Sequence, residues 1–146
     1  MTWDKLSDLE KGYIIGIIDG EGYIGIGKCR RKDWGTIRYS PIIRVQMTDY
    51  NIIRFLHQTF GGSYCYKIKT PLKHKDQWQW AMDFQGAFEF CKNIVFLLRI
   101  KKEQAKILIE YYENGEFKNG VKLSEDEINF RENCYLRMKQ LNRRGK

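Results

Sequence analysis

No hydrophobic run in this 146-residue chain is long; the longest, such as Tyr13–Ile18 and Ile94–Leu98, cover only a few residues. A membrane-crossing helix needs about 20 consecutive apolar residues, so none is expected. The opening Met1-Thr2-Trp3-Asp4 has no basic stretch leading into an apolar one. No secretory signal is therefore expected, and the expected setting is intracellular, a prokaryotic cytoplasm or an organelle matrix. No Cys-x-x-Cys pair occurs: Cys29, Cys65, Cys91 and Cys134 are scattered, and His57 and His74 are not spaced to complete a zinc site. This argues against a zinc finger and for reduced, structural thiols. Acidic residues are scarce in one long stretch: residues 22–80 hold only Asp33, Asp49 and Asp76 against eleven basic groups.

With 42% hydrophobic and 14% aromatic residues, the chain can build a core, which excludes wholesale disorder. Its length predicts a single domain, and Asn114-Gly115-Glu116 reads as a linker-like break between the core and a C-terminal helical extension over about 114–146. The net charge is +8, but residues 1–21 carry five acidic groups against two basic ones. The excess therefore lies downstream, mostly in residues 22–80. Such a block points to a polyanionic partner; the alternative is a solvated basic face.

Local patterns predict the order α-β-β-α-β-β-α-α. Ser7-Asp8-Leu9-Glu10 is a capping box that starts a helix near Asp8, running to about Ile18 and stopped by Asp19-Gly20-Glu21-Gly22. From Tyr23 to about Arg31 the period becomes two. The return strand, Thr36–Met47, puts Ile37, Tyr39, Pro41, Ile43, Val45 and Met47 on one face and Arg38, Ser40, Arg44 and Gln46 on the other. A helix over Tyr50–Phe60 precedes strands at Ser63–Lys69 and Gln77–Phe84. Helices follow at about Gly86–Phe96, Lys101–Glu113 and Asp126–Leu141, the last capped by Ser124.

The expected class is α+β: an αββαββα arrangement with a four-stranded antiparallel sheet, helices on one face, and an added C-terminal helix. The other sheet face then presents Arg38, Ser40, Arg44, Gln46, Lys67, Lys69, Gln77 and Gln79, with Arg30 and Arg31 at the end of the first strand. Arg and Gln read base edges bidentately, and a β-ribbon fits the DNA major groove.

Gly12 and Gly16 lie on one face of the first helix, with Gly20 one turn on. Each glycine inside a helix costs about 1 kcal/mol against alanine, so the stripe calls for close approach of another helix, through Gly12, Ile15, Gly16 and Asp19. Asp19 and Glu21 sit where the helix dipole is already negative, which suggests a hard cation among them.

The segment Gly12-Tyr13-Ile14-Ile15-Gly16-Ile17-Ile18-Asp19-Gly20-Glu21-Gly22, followed at once by strand-turn-strand, resembles the signature of the LAGLIDADG homing endonucleases. The resemblance spans roughly residues 7–113. It departs from the family name in carrying Glu where the last acid is Asp. Only one motif copy is present, and single-motif members work as homodimers with the motif helices packed at the two-fold axis. The resemblance implies a site-specific double-strand DNA endonuclease with a long, pseudo-palindromic target. It further implies that Glu21 and the Gly20 carbonyl hold Mg2+ (Mn2+ or Ca2+ can occupy the same site), and that Asp19 is a structural cap. Asp49 matches a water-ordering position, though it is equally an N-cap. Arg99, with Lys101 as fallback, matches a basic active-site position, though either could simply contact the DNA backbone. Two rivals share this scaffold: an RNA maturase assisting intron splicing, which would bind RNA, and a cleavage-dead DNA-binding protein, which would not need Glu21.

Overall fold

The capping box closes as the sequence requires. Ser7 Oγ accepts from the Glu10 amide and Glu10 Oε1 accepts from the Ser7 amide, each at 3.1 Å. In the computed structural model, which describes residues 2–32, 36–67, 76–115, 117 and 122–143, this box starts α1 (Asp8–Glu21). The helix does not stop at Ile18. It continues through Asp19, Gly20 and Glu21, and the Gly22 amide closes it by donating to the Ile18 carbonyl. The acids are thus the last turn of the helix, because Asp19 finds its partners in a distant segment.

The chain then forms β1 (Gly22–Arg30), β2 (Ile37–Met47), α2 (Tyr50–Phe60), β3 (Ser63–Lys67) and β4 (Gln77–Asp83). Helices α3 (Phe84–Ile94), α4 (Lys102–Asn114) and α5 (Glu125–Leu141) complete it. The sheet is antiparallel throughout, in the order β1-β2-β4-β3. This is the α+β architecture expected. α2 has the expected bounds and ends at Gly61 and Gly62, both at positive φ (78° and 81°) where glycine carries no Cβ penalty. α3 begins two residues earlier than expected, at Phe84, whose own φ is 47°.

Alternation decides which face is buried. Ile24 and Ile26 of β1, Tyr39, Ile43 and Val45 of β2, and Trp80 of β4 all face the helices. They meet Ile14, Ile17 and Ile18 of α1, Ile53 and Leu56 of α2, and the buried sides of α3 and α4 in one cluster. The Trp80 indole donates to the Gly61 carbonyl at 2.8 Å, which ties the sheet to the end of α2. Cys91 and Cys134 are in this interior, where burial pushes the Cys91 thiol up to about 12.

The C-terminal helix packs on β1. Cys134 and Met138 are buried, and Asn142 Nδ2 donates to the Ile24 carbonyl at 3.0 Å. Glu132 accepts from Lys28 Nζ at 2.8 Å and from the Tyr39 hydroxyl. These two donors hold the Glu132 carboxyl below the usual carboxylate range, so its stabilisation is present at neutral pH and lost on acidification. Glu132→Gln is expected to lower the unfolding free energy by about 1 kcal/mol, as a partly exposed hydrogen-bonded ion pair allows. Urea unfolding at pH 7 measures it. Among the described residues no helix is long and apolar enough to cross a membrane.

Candidate functional site

The stripe on α1 is bare. A Cβ built at Gly12, Gly16 or Gly20 would meet nothing within 4 Å. Beside it runs an open groove of about 490 Å³ lined by Asp8, Lys11, Ile15, Asp19, Leu97 and Arg99 together with Gly12 and Gly16. The α3–α4 connection next to it exposes Phe96, Leu97 and Ile100, with Phe96 at 81% and Ile100 at 71%. An apolar helix face stripped of side chains and edged by exposed large hydrophobics is uncommon on an isolated surface.

At the end of the stripe the two acids part company. Asp19 Oδ2 accepts the Arg99 amide at 2.9 Å, and Oδ1 accepts the Ile100 and Lys101 amides at 3.1 Å each. These amides lie at the entry to α4, whose cap residue Lys101 offers no side-chain cap of its own. Asp19 thus supplies the missing cap from across the fold, and its charge meets the positive end of the α4 dipole. Burial alone would raise its pKa, but the amides of Arg99, Lys101 and Ile100 and the Lys101 ammonium together hold it below the usual carboxylate range. The unfavourable charge at the end of α1 is therefore met by α4, and Asp19 keeps little capacity for an ion.

Glu21 is the acid left over. It is exposed, in the last turn of α1, and takes no hydrogen bond or ion pair among the described residues. The neighbouring Gly20 carbonyl belongs to the helix end, where main-chain oxygens lack intrahelical donors. These are hard oxygen donors of the kind that suit Mg2+ or Ca2+. One chain offers too few: among the described residues no three His, Cys, Asp or Glu side chains gather into a metal-holding group.

The two basic candidates also separate. The Lys101 ammonium donates to the Asp19 carbonyl, and its burial lowers its pKa while the charges of Asp19 and Glu21 pull it back up. Lys101 is therefore the cation that feels Glu21. Arg99 is exposed and lines the groove along the glycine stripe. Asp49 caps α2, accepting from Asn51 at 2.8 Å and Ile52 at 3.4 Å. It lines a hollow with Glu10 and Tyr13, on the early part of α1; roughly 12 Å of helix separates Tyr13 from Glu21. The structure thus brings together Glu21, Gly20, Asp19 and Lys101, while Asp49 lines the hollow beside the early part of α1.

On the sheet, register sorts the basic residues. Arg38 opposes Cys29, Ser40 opposes Gly27 and Arg44 opposes Tyr23, while Gln46 opposes Gln79, all on the face away from the helices. Gln46 and Gln77 hydrogen-bond to each other through their amides. Lys67 closes β3 opposite Gln77; Lys69 lies outside the described residues. Arg30 opposes Ile37 and so shares the helix-side face, whereas the exposed Arg31 follows the strand end. The open face also carries a residue that the sequence pattern does not single out: Tyr23, under the Arg44 guanidinium at 4.4 Å from its ring centre. Its place beside Arg44 depends on pairing between strands, which local periodicity does not report.

No protein-family model matches the chain. Among solved structures, an archaeal intron-encoded homing endonuclease, I-Vdi141I, complexed with DNA, superposes with TM-score 0.76 at 16% identity, over 95% of this chain and 87% of that one. The homing endonuclease I-CvuI, in complex with the I-CreI target, gives TM-score 0.73 at 15% identity over 94% of this chain and 84% of that one. The LAGLIDADG meganuclease I-AabMI, bound to uncleaved DNA, gives TM-score 0.66 at 17% identity, covering 89% of this chain but 44% of that one. With the bare motif helix leading into the sheet and the acids at its end, this chain has the fold of the LAGLIDADG homing endonucleases.

Proposed function

We propose that the chain is a divalent-metal-dependent DNA endonuclease that binds a long, pseudo-palindromic duplex as a homodimer and cuts both strands. The observation that carries this is the bare face of α1 running from Gly12 through Gly16 and Gly20 to Glu21, which makes no hydrogen bond or salt bridge among the described residues. A second copy on that face covers Leu97 and Phe96 and brings two Glu21 carboxylates together, which supplies the donors one chain lacks. The free sheet face of each copy then lies along the major groove of one half-site, with Arg38, Arg44, Gln46 and Gln79 toward the bases. That the similar structures named above include complexes with DNA supports the same assignment.

The residues divide the chemistry. Glu21 and the Gly20 carbonyl would hold the ion, and a bound Mg2+ would supply neutralisation of the scissile phosphate and a more acidic nearby water. Lys101 places a positive charge beside Glu21, where negative charge builds on the phosphate. Asp19 fixes Lys101 by holding its backbone amide and its ammonium. Arg99, on the stripe side, is placed to contact the partner copy or the phosphates between the half-sites.

Selection of cleaved sites from a randomised duplex library in Mg2+ tests the reading; symmetric enriched half-sites with both strands cut are expected. Uncut but enriched duplex indicates a cleavage-dead binder, and no enrichment overturns the assignment. Gly16→Phe fills the stripe with a ring and is expected to raise the dimer dissociation constant at least about tenfold, since overpacking a close interface costs about 1–3 kcal/mol. Sedimentation velocity with and without DNA measures it.

A further inference from the structure

The Arg44 side chain is seated on a neighbouring ring, and the seat is built by three residues. Tyr23 and Arg44 are direct cross-strand partners on the open face of β1 and β2. The guanidinium lies 4.4 Å from the Tyr23 ring centre, a cation–π contact. The phenol is folded down along its own strand, over Gly25. A Cβ at Gly25 would lie 2.4 Å from the Tyr23 Oη, 2.5 Å from Cζ and 2.6 Å from Cε1, and all three nearest atoms belong to that ring. Only a glycine leaves room for this pose. No acidic side chain among the described residues pairs with Arg44, so its N–H donors are not spent on a carboxylate. A guanidinium held over a ring by its charge keeps N–H donors for other partners.

We propose that Tyr23 is a specificity-determining positioning residue, holding Arg44 edge-outward for bidentate recognition of one guanine in each half-site. The inference rests on the DNA-endonuclease reading and deepens it. A guanidinium already restrained against a ring loses less freedom when its fork binds guanine O6 and N7. The planar fork is what discriminates, so charge alone does not substitute for it. The second open-face arginine of β2, Arg38, sits on a different ring, Phe84, at 5.1 Å. It provides an internal control, because its seat does not involve Tyr23 or Gly25.

The test is the base preference of the full-length protein, read from a randomised duplex DNA library bound in Ca2+, for wild type, Tyr23→Phe, Tyr23→Leu, Gly25→Ala and Arg44→Lys. Arg44→Lys is expected to abolish one guanine preference per half-site, and Tyr23→Leu to abolish that same preference, with a loss of about tenfold or more against the other bases. Gly25→Ala, which keeps both side chains but displaces the phenol, is expected to do likewise. Tyr23→Phe retains the ring and is expected to retain the preference, and the position read by Arg38 is expected to survive in all four variants. If the Arg44-dependent preference persists in Tyr23→Leu, or if Tyr23→Leu weakens all sequences equally, the positioning role is wrong. A wild type that enriches no sequence overturns the DNA reading itself, a result distinct from either of these.

Discussion

Glu21→Gln is expected to leave DNA binding in Ca2+ measurable while Mg2+-dependent cleavage falls by about a hundredfold or more. Metal-assisted charge stabilisation is worth several kcal/mol, and each 1.4 kcal/mol is about tenfold in rate. The substitution keeps the size but removes the negative charge and turns one acceptor oxygen into an NH2 donor. Glu21 is exposed, in the last helical turn, and makes no hydrogen bond or salt bridge among the described residues; its charge acts on Lys101 only through space, so the fold depends little on it. That makes the variant clean: a lost rate reflects the site and not unfolding. Single-turnover cleavage of a selected site, with melting temperature as control, reads both. An unchanged rate with binding intact would remove Glu21 from the metal site.

Asp19→Ala is expected to act in the opposite sense, on stability first and on cleavage through it. Three backbone amides, those of Arg99, Ile100 and Lys101, lose their acceptor, as does the entry to α4. Hydrogen bonds to a charged group are worth about 1.5–3 kcal/mol each, but this loop is partly exposed, so a total of about 2–3 kcal/mol is expected. Asp19→Asn does not rescue it fully, because one amide oxygen replaces two carboxylate oxygens and the new NH2 group faces donors. The pH dependence follows from the depressed pKa. Wild-type stabilisation by Asp19 is complete above the usual value of 3.8 and fades as pH falls through the lower folded value. Asp19→Ala should lack that portion of the acid-induced loss, while keeping the portion due to Glu132. Urea midpoints from pH 7 to pH 2.5 for the two proteins measure the difference. Cleavage should fall as well: the Asp19 main-chain carbonyl still accepts the Lys101 ammonium, but the Lys101 backbone loses the carboxylate that anchors it beside Glu21.

Much of the site is legible in local sequence. The capping box, the Asp49 cap, the two-residue alternation of β2 and the glycine stripe are each written within a dozen residues, and the fold contains all four. The cap role of Asp19 is what the family resemblance implies; local electrostatics says only that acids at a helix C-terminus need a positive partner. Which partner is not readable, since the amides it binds lie eighty residues away. For the same reason the local pattern ends the helix too early: Asp-Gly-Glu-Gly breaks a helix locally, and only the distant contact carries it through one more turn.

The basic residues divide along the same line. The family resemblance puts Arg99 on the basic position with Lys101 as the fallback, two residues apart in an irregular connection with no period to orient them. Packing of that connection against the end of α1 puts Lys101 toward Glu21 and Arg99 along the stripe. Proximity in the chain groups Arg30 with Arg31, yet consecutive strand residues point to opposite faces, and pairing with Ile37 assigns Arg30 to the helix side.

The sequence by itself determined the elements, the buried face of each strand, and the scarcity of acids in the segment that carries the open sheet face, because these depend on periods of two and 3.6 and on caps, all short-range. Tertiary structure alone decided which acid is free and which cation faces it. It also decided that Arg44 rests on Tyr23 above Gly25. Those outcomes depend on hydrogen bonds and contacts between segments far apart in the chain, and no local pattern encodes the register that brings them together.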